Sequence, residues 1–187
     1  EILAEEALRL LSESKGSTPR VLDLCTGSGC IAVSLKYNCP EAEVEASDIS
    51  PAALEVFREN CRNILGRELR YYNTDLLEGI TGPYDIIVSN PPYLTEETTD
   101  SMKNGGWPEP RLALEGGCDG LDFIRSIIRS SKTRLKEGGY LLFEADPSQM
   151  KCIKEEYENN LFSDIIVKKD LAGRDRVILG KNCYGKS

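Results

Sequence analysis

The sequence predicts an α/β domain, a doubly wound, mostly parallel seven-stranded sheet with a C-terminal antiparallel hairpin. Three observations carry this expectation. Short apolar runs alternate with segments of helical periodicity over most of the chain, the pattern of a parallel sheet covered on both faces. The last two strand-like runs, FSDIIVKKD (162–170) and RVILGK (176–181), are joined by a turn too short for a parallel crossover. The 187 residues, 40% of them hydrophobic, suit a single domain (1–187) with a sizeable core.

The elements follow in order. EILAEEALRLL opens a helix with Leu3, Ala7, Leu10 and Leu11 on one face. RVLDL (20–24) is a buried strand, CIAVSLKYN (30–38) a helix and AEVEASD (42–48) the second strand. Ser50 and Pro51 supply an N-cap and a first helical residue, and Leu54, Phe57, Cys61 and Ile64 continue at helical spacing. LRYYNTD (69–75) and YDIIVSN (84–90) are strands three and four. LDFIRSIIRSSKTRLK (121–136) predicts a long helix with Ile124, Ile128 and Leu135 inward, stopped by Gly138 and Gly139. YLLFEA (140–145) is strand five, and SQMKCIKEEYENN (148–160) is a helix with Met150, Ile153 and Tyr157 as its core stripe. Between Leu94 and Asp119 the chain offers turn residues, its single Trp and little periodicity, which predicts a long substrate-facing loop.

Composition removes several function classes. Net charge is −8 with no basic block, which disfavours stable nucleic-acid binding; Arg67, Arg70, Lys168 and Lys169 are the candidates for a local patch. No apolar stretch approaches the ~20 residues of a membrane span. Seven cysteines without a C-x-x-C pair read as reduced, cytoplasmic thiols and give no metal site. The absence of histidine excludes Ser-His and Cys-His nucleophilic mechanisms within this chain. A monomer is expected.

Two stretches carry chemistry. DLCTGSGCIA (23–32) places Gly27-Ser28-Gly29 between a strand and a helix, where small residues let a ligand approach the backbone. Asp48, at the tip of strand two, can accept hydrogen bonds from two ribose hydroxyls. This pair suits a nicotinamide dinucleotide or S-adenosylmethionine equally, while a P-loop is excluded because no Gly-Lys-Ser/Thr follows. SNPPY (89–93) closes strand four at the carboxyl edge of the sheet. Prolines alone would stop the strand. Asn90 adds a side-chain carbonyl, the Pro91–Pro92 backbone adds carbonyls without competing N–H groups, and Tyr93 adds a flat wall. Together they suit an –NH2 group on a planar system, and favour S-adenosylmethionine over a dinucleotide.

The blocks DLCTGSGCIAVSL, ASDISPAALEVFRENC, YDIIVSNPPYL, EPRLALEGGCDGLDFIRSII, LKEGGYLLFEADPSQ and DLAGRDRVILG occur in the order seen in the HemK/PrmC family, which the chain resembles over nearly its whole length. The resemblance implies a class I, Rossmann-like methyltransferase that uses S-adenosylmethionine to modify the GGQ glutamine of peptide chain release factors. It implies that Asn90, Pro91, Pro92 and Tyr93 hold the glutamine amide, with Asn90, Pro91 and Tyr93 catalytic. The cofactor set is then Asp23, Thr26, Gly27, Ser28, Gly29, Asp48, Ile49, Asp75, Leu76 and Asn90. Glutamine methylation of a ribosomal protein, or adenine-amine methylation of DNA or RNA, are the alternatives. Departures are Cys25, where the family usually has Gly and which is tolerated if it points away from the cofactor, and Glu144 through Gln149, where the family more often has an Ile-Gly pair after the glutamate. The family's upstream helical substrate-binding domain is expected to lie outside this chain, which has no initiator Met.

Overall fold

The computed structural model describes residues 1–13 and 18–184. Seven strands form one sheet in the order β3-β2-β1-β4-β5-β7-β6. They are β1 (Arg20–Leu24), β2 (Glu43–Asp48), β3 (Arg70–Asn73), β4 (Tyr84–Ser89), β5 (Leu135–Glu144), β6 (Phe162–Lys169) and β7 (Asp175–Asn182). The first five run parallel; β7 is antiparallel to both β5 and β6. This is the doubly wound sheet with its closing hairpin that the sequence predicts.

Alternation along each strand divides the core in two. Val21, Val44, Ala46, Ile86, Val88 and Leu142 face α1 (Ile2–Glu13), α2 (Cys30–Asn38) and α3 (Pro51–Asn60). Leu22, Leu24, Ile87, Leu141 and Phe143 face α5 (Asp122–Ser131) and α6 (Met150–Asn159). The predicted core stripes of α1 and α6 are buried. Ser50 caps α3 as expected, its hydroxyl accepting from the Ala53 N–H.

Three expectations are corrected. The 94–119 segment is not irregular throughout: Thr95 caps a nine-residue helix, α4 (Glu96–Asn104), whose only buried residue is Thr99. A helix with Met102 as its one apolar residue leaves no apolar period to detect. The fifth helix ends at Ser131, and Leu135 is instead the first residue of β5, paired with Tyr84. Gly138 and Gly139 therefore lie inside the strand, and Gly139 passes so close to β4 that an added Cβ would sit 3.0 Å from the Asp85 carbonyl. Ile64 is exposed because Cys61–Leu65 forms a π-helical turn, which shifts the helical register at the end of α3.

At the amino edge, one buried carboxylate joins four strands. Glu45 on β2 accepts from the hydroxyls of Tyr84 (2.6 Å) and Tyr72 (2.8 Å) and pairs with Arg20 at 2.9 Å. Burial is the largest influence on its acidity and pushes the pKa up. The hydrogen bonds from Tyr84, Arg20 and Tyr72 together outweigh it and hold the group below its ordinary value. Glu45→Ala should therefore destabilise the domain by about 3 kcal/mol, since it removes the acceptor of two tyrosine hydroxyls and leaves Arg20 with only Glu43 and the Pro83 carbonyl. Urea denaturation of wild type and variant checks this; a loss within experimental error would show that the network adds nothing net.

Candidate active site

The carboxyl ends of β1 and β4 lie side by side where the strand order reverses, the point at which open α/β sheets bind ligands. Ser89 ties the two strands there, its hydroxyl donating to the Leu24 carbonyl at 2.9 Å. The chain then leaves β1 through Cys25 and Gly27, both with positive φ (55° and 57°). Glycine adopts this conformation without strain, and Cys25 carries it at a cost of roughly 1–2 kcal/mol. Cys25 lines the larger cavity at this edge. Burial, helped by Asp48, pushes its thiol up to about 12, so it stays neutral and unreactive.

The loop is held from below by Asp23. This side chain is fully buried; its Oδ2 accepts from the Thr26 hydroxyl at 2.6 Å and from the Ala32 N–H in α2 at 3.0 Å. Oδ1 is buried with no partner, and burial pushes the pKa up to about 7. The loop's own donors turn inward: Thr26 N–H reaches Ser47, Gly29 N–H reaches Thr26, and Gly27 N–H reaches Asp48 Oδ2 at 2.8 Å. Asp48 Oδ1 accepts from Ser50 N–H at 2.9 Å. Asn73 then joins β3 to β2 by donating to the carbonyls of Asp48 and Ile49, which sets Thr74, Asp75 and Leu76 opposite.

Two cavities open on this edge. The first, of about 410 Å³, is lined by Gly27, Asp48, Ile49, Asp75, Leu76, Asn90 and Pro92 among the predicted site residues. The sequence did not single out Ser47, Ala53, Thr74, Leu112, Ala113 and Phe123, which also line it. The second, of about 360 Å³, is lined by Asn90, Pro91 and Tyr93 together with Leu94, Met102, Trp107, Glu109, Ala113 and Leu114. Asn90 and Ala113 belong to both. Asp23, Thr26, Ser28 and Gly29 line neither: the first two brace the loop, Ser28 bonds Asn60 through its carbonyl, and an added Cβ at Gly29 would sit 2.3 Å from the Phe57 ring.

The roof over both cavities is the 94–119 segment. Arg111 pairs with Asp100 of α4 at 2.5 Å and with Glu115, while Lys103 donates to the carbonyls of Trp107 and Glu109. The sequence signals for this roof were its turn residues, its missing periodicity, its Trp and the EPRLALEGGCDG block; Met102 gave none. Asn90 itself is exposed, and among the described residues nothing hydrogen-bonds its side chain or the carbonyls of Pro91 and Pro92. An asparagine that merely ended a strand would cap a neighbouring turn.

The family model for the methyltransferase small domain matches residues 6–104, more than half the chain. The chain belongs to that family. Within it, the chain is 38% identical over 183 residues to the release factor glutamine methyltransferase of Deinococcus radiodurans, covering 98% of this chain and 63% of the relative. It is 41% identical over 143 residues to the ribosomal protein uL3 glutamine methyltransferase of Neisseria meningitidis serogroup A, covering 76% of this chain and 47% of the relative. The chain thus spans less than two thirds of the length of these relatives. A solved 16S rRNA N2 methyltransferase of T. thermophilus, in complex with AdoMet and guanosine, shares the fold at a TM-score of 0.69 and 19% identity, over 97% of this chain and 42% of that one.

The raised pKa of Asp23 has a pH consequence for this methyltransferase small domain. The fold prefers the protonated acid, so the stability that this group contributes is fully present below its ordinary value of 3.8 and is lost as pH rises through about 7. Wild type should lose on the order of 2 kcal/mol between roughly pH 5 and pH 8 on this account. Asp23→Asn keeps an acceptor for Thr26 and Ala32 without the charge, and should lose much less. Urea melts at both pH values test this; equal pH slopes for the two proteins would remove Asp23 as the cause.

Proposed function

We propose that this domain transfers a methyl group from S-adenosylmethionine to the side-chain amide nitrogen of a protein glutamine, the GGQ glutamine of a peptide chain release factor. The observation that carries the reading is Asn90: it stands in the wall shared by two cavities, with its amide engaged by no described residue. A donor molecule in one cavity and an amide in the other would meet there.

The larger cavity has a volume in the range of small-molecule sites, and its residues fit the cofactor. Asp48 spends one lone pair of each oxygen on the backbone and keeps a second for a ribose hydroxyl. Ile49, nearly half exposed at 48%, and Leu76 offer apolar walls for a planar base, and Asp75 stands exposed beside them. When bound, S-adenosylmethionine supplies the electrophilic sulfonium methyl.

The smaller cavity holds the amide. The Asn90 side-chain carbonyl and the Pro91 carbonyl accept its two N–H bonds, which aims the nitrogen lone pair toward the larger cavity and favours pyramidal nitrogen as the new bond forms. Tyr93 walls the group, and Pro92 lines the larger cavity next to it. Tyr93 is half-buried, and burial first, then Glu144, pushes its pKa up, so its hydroxyl keeps its proton and is no base. No base is needed, because the methylated cationic nitrogen is acidic.

Relatives named for release factors and for ribosomal protein uL3 both support a glutamine amide, and uL3 is the second reading for the partner. Adenine amines fit less well. Lys168 pairs with Glu6, Lys169 with Asp175, and Arg70 packs on Tyr72, so these cations form no groove beside Asn90. No helix among the described residues is long and apolar enough to cross a membrane. With seven free cysteines and a translation-factor substrate, a cytoplasmic monomer is the proposed setting.

The test is mass spectrometry on a GGQ-containing release factor, on uL3 and on an adenine oligonucleotide, each incubated with the full-length protein and S-adenosylmethionine. One added CH2 on the GGQ glutamine is expected. Asn90→Ala should lower kcat by about 100-fold or more with cofactor affinity nearly unchanged. Unchanged turnover in that variant would end the proposed role of Asn90, and modification of adenine alone would move the domain to nucleic-acid substrates.

A further inference from the structure

The SNPPY loop has to be held still by something, and the prolines cannot do it, because they have no N–H to donate. The structure points to the chain far downstream. Gln149, in the short 3-10 turn before α6, is buried, and its amide is fully engaged. Nε2 donates to the Tyr93 carbonyl at 2.8 Å and to the Asp119 carbonyl at 3.1 Å, while Oε1 accepts from the Asp146 N–H at 3.1 Å. The Oε1 partner is a backbone donor and both Nε2 partners are acceptors, so the orientation of the amide admits no alternative.

Two glycines let this happen. An added Cβ at Gly120 would sit 2.1 Å from the Tyr93 carbonyl oxygen and 2.4 Å from Gln149 Nε2. One at Gly116 would sit 2.6 Å from the Pro92 carbonyl oxygen. Between them, Leu94 N–H donates to Leu114 and Gly116 N–H donates to Leu94, a short parallel bridge that stitches the roof to the loop. The roof, the loop and the start of α6 therefore share one polar junction at the Tyr93 carbonyl.

We propose that Gln149 is a positioning residue for methyl transfer: through its two donated hydrogen bonds it fixes the Tyr93 carbonyl and hence the placement of Asn90 and Pro91 toward the substrate amide. The inference rests on the reading of Asn90 through Tyr93 as the amide clamp. It assigns a role to the second half of EPRLALEGGCDG, where Gly116 and Gly120 are the backbone surfaces against which the clamp is seated. It also explains why a glutamine occupies a buried position without touching either cavity.

Gln149→Glu is the informative substitution. It keeps volume and the acceptor for Asp146, but faces a carboxylate oxygen toward two carbonyls. Gln149→Met, which cannot donate but adds no charge, guards against loss of the fold. Amide hydrogen exchange at Leu94 and Gly116 reads the clamp without reference to any substrate, and kcat and KM are measured on the release factor. Faster exchange at both amides in both variants is expected, with kcat down about 10- to 100-fold and cofactor affinity retained. Unchanged exchange in both variants overturns the inference, as does a loss of turnover that tracks an equal loss of cofactor binding. If wild type methylates some other amine instead, the glutamine reading fails, while the exchange data still decide whether Gln149 holds the loop.

Discussion

The site at the carboxyl edge depends on a buried carboxylate that lines neither of its cavities. Asp23 is sealed beneath the loop that follows β1, with the Thr26 hydroxyl and the Ala32 N–H in the first turn of α2 as its partners. Those two bonds fold the loop back on itself, so that Gly27 N–H points at Asp48 rather than outward. Asp48 in turn takes Ser50 and starts α3. One buried acid therefore sets the spacing between β1, α2, β2 and α3. Burial without a partner for Oδ1 is expensive, and the raised pKa is how that cost appears.

The opposite edge is organised by the same kind of interaction with the opposite sign. Glu45 is also buried, but Arg20 and two tyrosine hydroxyls satisfy it fully, and its pKa falls. The contrast is instructive about buried carboxylates in general. The number of donors that reach the group, more than its depth, decides whether it is a charged anchor or a near-neutral one. In this sheet the charged anchor lies away from the cavities and the strained one lies under them.

Rigidity at the proposed clamp comes from a long way off in sequence. Asn90 and Pro91 leave a strand whose neighbours on both sides are parallel, so the strand direction is fixed by β1 and β5. Beyond Ser89 the sheet no longer helps, and the chain is instead pinned by the Leu94–Glu115 bridge and by Gln149. Among the described residues this leaves the Asn90 side chain and the two proline carbonyls without hydrogen-bond partners while the backbone behind them is tied down. Polar groups held in place with unused hydrogen-bonding capacity are what a preorganised site requires.

Much of this was legible in the sequence. The alternation of strand and helix patterns, the Ser50-Pro51 cap and the short final turn determined the doubly wound sheet and its hairpin, because each is a local preference that the fold does not override. Gly27, Asp48 and Asn90, picked out from contiguous motifs at strand ends, all line the larger cavity, because a motif at a strand end stays at that edge of the sheet. What the tertiary structure alone decided was which of those residues face a cavity. Asp23, Thr26 and Gly29 share a motif with Gly27 but point into the scaffold, since a tight turn sends successive residues in different directions. The roof helix α4 escaped detection because a helix stabilised by caps and surface ion pairs needs no apolar period. The meeting of Tyr93 with Gln149 joins residues 56 apart in the chain, and no local pattern encodes such a contact. Only the sheet, by setting the end of β4 beside the end of β5, brings them within a hydrogen bond.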